Sequence, residues 1–243
     1  MSNGANLHTR ANMFATSKAM IVEAPNWQPI RTFVEYAHSK PVGRFVSRKS
    51  RRAMTWEGFG ERHLMRISEA DGQFVRYLAQ PHRLEIRVDH SDKPLLYFPD
   101  LRRDLKDGTI EIIEVKRTEK EIEADPDYAF KIAMAESVYA ALGWKFRIII
   151  AEEEIDVNPI YSNAKMICED KFSLIGTRER LAIEEAFQIN EALPYGRAIE
   201  IIASAADVPL ERAQAVLHAL VCTRRAAIDI RKKITRDSAV TKP

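Results

Sequence analysis

Cysteine is scarce in this chain. Cys168 and Cys222 are the only two in 243 residues, too few for a disulfide framework and not spaced as a zinc site, so a reducing, cytoplasmic setting is expected. No run approaches the roughly 20 apolar residues of a membrane span, and the N-terminus lacks the charged-then-apolar layout of a secretion signal; no membrane partner is expected. There is no internal repeat and no low-complexity tract. Net charge is small, +2, so any nucleic-acid surface must be a local patch. What remains is a 46% hydrophobic, 30% charged sequence, ordinary for a globular protein and long enough for one large domain or two modest ones.

The stretch from Tyr97 to Lys116 carries the chemistry. It reads Tyr-Phe-Pro-Asp100, a polar turn, then Ile110-Glu-Ile-Ile-Glu114-Val-Lys116. Residues 109–117 alternate as a strand, which puts Ile110, Ile112, Glu114 and Lys116 on one face and Ile113 and Val115 on the other. A carboxylate and an amine late on a strand that is apolar on both faces are costly unless paired or bound to a metal. A two-residue Asp107-Gly108 hairpin would set Asp100 opposite Val115. A three-residue loop, Lys106-Asp107-Gly108 with glycine at positive φ, sets it opposite Glu114. The second is expected. Asp100 and Glu114 then converge on a hard cation such as Mg²⁺, with Lys116 beside the attacking water and the scissile phosphate. This is the pattern a metal-dependent phosphodiesterase needs.

Residues 1–43 read as a loosely docked arm. Five basic residues, Arg44, Arg48, Lys49, Arg51 and Arg52, lie in 44–52 without an acid, a candidate phosphate-contacting segment. Thr55 is placed as the cap of a helix running to about Ala70, with Glu57 and Glu61 one turn apart; like charges at that spacing call for something positive nearby. Gly58 and Gly60 would let another backbone or a nucleic acid approach closely. Strands are expected over 74–90, broken at Gln80-Pro81, and over 95–100. A helix follows from Pro126 to Leu142 and a buried strand from Trp144 to Ile150. These elements make a mixed α/β nuclease domain over 44–157. A connection over 158–176 leads to a smaller domain, 177–243. There, helix, turn, helix and a basic strand Ala227–Arg231 suggest a winged-helix-like unit with DNA contacts at Arg224, Arg225, Arg231, Lys232 and Lys233.

Residues 44–155 resemble the catalytic domain of TnsA-type transposon endonucleases. The resemblance rests on an ordered set: Ser-Arg-Lys-Ser-Arg-Arg, Trp-Glu57-Gly-Phe-Gly-Glu61-Arg, Gln80-Pro81, Tyr97-Phe-Pro-Asp100 and Glu114-Val-Lys116. It implies a PD-(D/E)xK, restriction-endonuclease-like mixed sheet flanked by helices, followed by a winged-helix-like helical domain. It implies Glu61, Asp100, Glu114 and Lys116 as catalytic residues, the three acids as ligands of Mg²⁺ (or Mn²⁺), and Glu57 and Gln80 as possible additions. The glycines at 58 and 60 depart from the family's Glu-Ser-x-x-Glu-Arg helix and leave Glu57 against Glu61 open; Glu61 is taken because it aligns with the Glu-Arg pair. The implied activity is hydrolysis of the 5′, non-transferred strand at transposon ends. The implied partners are double-stranded DNA, a DDE transposase (TnsB-like) and an AAA+ ATPase (TnsC-like). A stand-alone nuclease of defence or repair, and a catalytically silent DNA-binding adaptor, are the alternatives.

Overall fold

Four strands at the centre of the molecule put the Asp100 and Glu114 segments side by side. The computed structural model describes residues 18–31, 40–88, 92–123 and 125–243; of the arm expected over 1–43, residues 1–17 and 32–39 lie outside them. In chain order the first strands are β1 (Ala19–Glu23), β2 (Val42–Ser47) and β3 (Arg52–Glu57), followed by helix α1 (Phe59–Ala70). Next come β4 (Phe74–Ala79), β5 (His82–Ile86), β6 (Leu95–Tyr97), β7 (Leu101–Leu105) and β8 (Ile110–Lys116). The short helix α2 (Lys120–Glu123) and the long α3 (Pro126–Ala141) lead to β9 (Lys145–Ile150). The central sheet has the order β4-β7-β8-β9, with β8 and β9 parallel and the other pairs antiparallel. The parallel pair is joined through α3, because a parallel connection needs a crossover. Asp125 caps that helix by accepting the Tyr128 N–H at 3.0 Å.

The remaining elements are α4 (Ile160–Glu169), α5 (Thr177–Ile189), β10 (Ala192–Pro194), α6 (Tyr195–Ala206), α7 (Leu210–Cys222), β11 (Ala227–Ile228) and β12 (Ala239–Thr241). The last three strands form their own sheet, ordered β10-β12-β11. No helix among the described residues is long and apolar enough to cross a membrane.

Several elements differ from the sequence reading. Thr55 caps no helix: 52–57 is strand β3, and α1 begins at Phe59, after Gly58. The β2–β3 pairing supplies the reason, since Met54 and Trp56 on β3 are buried while Ala53 faces out. Within the expected arm, Ala19–Glu23 is a strand paired with β5, because Ala19, Ile21 and Val22 are buried. The run 95–100 is divided: β6 pairs with β5, and the strand beside β8 starts at Leu101. The expected connection over 158–176 contains helix α4. The strand expected over Ala227–Arg231 stops at Ile228.

Two apolar clusters hold this together. One joins Ile21, Leu84, Tyr97, Ile112 and Tyr139 on one side of the central sheet. The other is larger and runs without interruption from Phe45, Met54, Leu64 and Ile113 to Ile167, Val216, Leu220 and Val240. The helices after 158 therefore share a core with the sheet. A polar chain braces them: the Tyr195 hydroxyl lies 2.7 Å from His218 Nε2, and His218 Nδ1 lies 2.6 Å from Asp170. Burial lowers the pKa of His218, against the opposing pull of Asp170.

Candidate active site

The turn between β7 and β8 decides where Asp100 goes. Leu105 N–H donates to the Thr109 carbonyl at 2.9 Å, which leaves Lys106, Asp107 and Gly108 as the three-residue loop. Gly108 has φ +85°, a value other residues adopt only under strain. The resulting register pairs Leu101 with Ile113 and Asp104 with Ile110. One place further along, Asp100 stands beside Glu114, as the loop-length argument expected. Asp100 N–H donates to the Ile113 carbonyl at 3.1 Å, and Asp100 Oδ2 accepts the Val115 N–H at 2.7 Å.

Glu114 is buried, 5% exposed, and both of its oxygens are engaged. Tyr97 donates its hydroxyl to Oε2 at 2.7 Å. The Tyr128 hydroxyl donates to Oε1, which also meets Lys116 Nζ at 2.9 Å. Lys116 Nζ lies 4.3 Å from the centre of the Tyr128 ring, so the aromatic face and the carboxylate hold the ammonium together. Glu114 and Lys116 thus share the face assigned from strand alternation. Tyr128, on α3, gave no signal in the sequence; its place follows only from the crossover that lays α3 over β8.

Glu61 reaches the same place from α1. A side chain at Gly60 would meet Val115 Cγ1 at 3.0 Å and Ala151 Cβ at 3.2 Å. The glycine therefore lets the start of α1 come close to β8; the close neighbour is this chain's own side chains. Glu61 Oε2 accepts the Glu57 N–H at 3.1 Å. Burial raises the Glu61 pKa to about 8, assisted by the charges of Glu57 and Glu114 and opposed by that N–H and by Lys40. Asp100 is also pushed well above the usual carboxylate range, first by burial and then by Glu114 and Glu61, against the Val115 N–H and Lys116. Of the two helix candidates, Glu61 is the one whose charge acts on Asp100. Glu57 ends β3 and acts on Glu61. Gln80, at φ +46°, donates its N–H to the Asp100 carbonyl at 2.9 Å; its side-chain oxygen is buried without a hydrogen-bond partner.

Among the described residues no group of three or more His, Cys, Asp or Glu is arranged to hold a metal ion. The oxygens of Glu114 are held by two hydroxyls and an ammonium. The donor chemistry nonetheless suits a hard divalent cation. All three candidate ligands are carboxylates; burial first, and then mutual repulsion, raises Glu61 and Asp100, and a divalent charge would relieve that repulsion.

The expected DNA-contacting residues divide by environment. Lys49 turns inward: its ammonium donates to the carbonyls of Ser68 at 2.8 Å and Asp71 at 2.7 Å, and burial lowers its pKa to about 8. Arg52 donates to the Trp27 carbonyl. Arg231 pairs with Asp71 at 2.7 Å and Lys232 with Asp229 at 3.8 Å. Lys233 is exposed. Helix α7 is buried from Val216 to Cys222, so only its first turns face outward. Arg48, Arg51, Arg224 and Arg225 line a cavity of about 800 Å³, in which Arg180 and Phe172, unmarked by the sequence reading, also take part. No family model matches this chain, and no curated protein matches it significantly.

Proposed function

We propose that this chain is a divalent-metal-dependent DNA endonuclease of the TnsA type, the subunit of a heteromeric transposase that hydrolyses the non-transferred strand at transposon ends. The observation that carries the reading is the β7–β8 register that sets Asp100 beside Glu114, with Lys116 seated on Glu114 at 2.9 Å. The order of helix α1, hairpin β7–β8, crossover α3 and parallel strand β9 supports a restriction-endonuclease-like sheet. Helix, strand, two helices and two strands, with β12 between β10 and β11, support a winged-helix-like C-terminal unit. Asp100, Glu114 and Glu61 would hold Mg²⁺ or Mn²⁺. When bound, such an ion generates a hydroxide-like nucleophile and neutralises phosphate charge. Asp100 is held in place by the Val115 N–H. Lys116, seated beside Glu114, would balance charge growing on the phosphate.

The test is calorimetric titration of Mn²⁺ into wild type, Asp100→Ala and Lys116→Ala, alongside nicking of DNA carrying transposon ends. Binding by wild type and its loss in Asp100→Ala are expected, with nicking lost in both variants. Nicking retained by either variant would overturn these roles. One observation favours a second reading, a DNA-binding adaptor without turnover: the Glu114 oxygens are already occupied by hydroxyls and an ammonium. DNA binding by wild type with no detectable uptake of Mg²⁺ or Mn²⁺ would decide for that reading.

A further inference from the structure

The cavity at the far end of α1 is rich in cations and has no acid in its lining. Arg48 and Arg51 come from the turn between β2 and β3, Arg52 from the start of β3, Arg180 from α5, and Arg224 and Arg225 from the end of α7. Glu184 pairs with Arg180 at 2.7 Å and with Arg225 at 2.8 Å. Arg48, Arg51 and Arg224 have no ion pair among the described residues, and Arg224 Nε is buried without a hydrogen-bond partner. Both Arg51, at φ +55°, and Arg224, at φ +57°, sit in the left-handed region. Glycine is the usual occupant of such positions, and arginine at both puts two guanidinium groups at one cavity against backbone preference. Like charges gathered at one cavity repel, which favours an anion there.

Three features point to a phosphodiester strand as that anion. The volume suits a few nucleotide units and is too small for a duplex. Phe172, at the wall, is 53% exposed and offers a stacking face beside the guanidinium groups, the combination that holds single-stranded nucleic acid. The cavity also meets the catalytic helix: Ser47 and Arg48, in its wall, bond to Glu69, and Glu69 stands about 12 Å along α1 from Glu61 at 1.5 Å per residue. We propose that this cleft, closed by the β2–β3 turn on one side and the end of α7 on the other, binds a DNA strand next to the segment presented to the carboxylates. The proposal shares the nucleic-acid partner of the reading above but none of its chemistry.

The experiment measures anisotropy of a fluorescein-labelled 12-nucleotide single strand in EDTA, with the full chain. Glycine variants separate binding from folding, because glycine fits the positive φ of both positions. Arg51→Gly and Arg224→Gly should melt at or above the wild-type temperature and bind at least 10-fold more weakly. The double variant should lose less than the product of the two, as expected if both arginines grip one strand. Arg197→Gly, an exposed cation on α6, should leave binding within 2-fold. Losses in the cleft variants no larger than for Arg197→Gly would overturn the proposal. So would a strand displaced by ATP or pyrophosphate at lower concentration than by unlabelled oligonucleotide, which would assign the cavity to a free nucleotide. A cleft that passes while Asp100→Ala still nicks DNA would leave the strand site standing and remove the catalytic reading alone.

Discussion

The carboxylate of Asp100 accepts the backbone N–H of Val115, the residue between Glu114 and Lys116, at 2.7 Å. That bond ties the end of one strand to the catalytic stretch of its neighbour and fixes the acid where burial and two other carboxylates oppose its ionisation. Asparagine keeps an acceptor for Val115 and carries no charge. Asp100→Asn should therefore melt at a higher temperature than wild type at pH 8 without metal, and should lose the rise in melting temperature that Mn²⁺ gives wild type. Differential scanning fluorimetry with and without MnCl₂ reads both effects. A variant still stabilised by Mn²⁺ would remove Asp100 from the ligand set.

Glu61 makes the same point through pH. Its pKa is about 8 in the folded chain against an ordinary 4.5. An acid raised on folding favours the folded state fully below the lower value, and that contribution is lost as pH rises through the upper one. The metal-free protein should thus lose stability between about pH 4.5 and 8, by on the order of a few kcal/mol at about 1.4 kcal/mol per pK unit. Glu61→Gln should flatten the profile. Urea unfolding across this range is the measurement, and equal slopes for the two proteins would contradict the burial of Glu61.

Tyr128 donates its hydroxyl to the Glu114 oxygen that also holds Lys116. A cation on Glu114 must compete with that donor. Tyr128→Phe removes it and keeps the ring under Lys116. Affinity for Mn²⁺ should rise several-fold, at about 1.4 kcal/mol per tenfold, for the loss of one charge-assisted hydrogen bond. Calorimetry giving weaker binding would mean that the hydroxyl orients Glu114 for the metal.

Local rules reach some parts of this fold and not others. The β7–β8 register was legible because a single glycine and strand alternation determine it, and Asp100 and Glu114 follow from that alone. The caps and stops of α3, at Asp125 and Gly143, were equally local. The helix expected from Thr55 was not: its apolar spacing fits both a strand and a helix, and pairing of β3 with β2 decided the matter. Tyr128 on Glu114, and Arg51 and Arg224 at one cavity, bring together residues 14 and 173 positions apart. No periodicity records such meetings; they depend on how α3 and α7 pack.

Glu69 is the residue on which the basic cleft depends for its shape. It is fully buried and accepts the Ser47 hydroxyl at 2.6 Å, the Tyr77 hydroxyl at 2.6 Å and the backbone N–H groups of Arg48 at 2.7 Å and Lys49 at 3.2 Å. Four donors thus fix the turn that carries Arg48 and Arg51, and Lys49 anchors the same turn to the end of α1. Glu69→Gln keeps the shape and can keep an oxygen on the two backbone N–H groups, but its amide then makes the Ser47 and Tyr77 hydroxyls give up their bonds to a charged acceptor, which should cost about 1–3 kcal/mol. If the turn is what aims the arginines, oligonucleotide affinity should fall by more than the lost stability can explain. At a temperature where the variant is fully folded, anisotropy should show weakening comparable to that of Arg51→Gly. Unchanged affinity there would mean that the arginines hold their direction without Glu69.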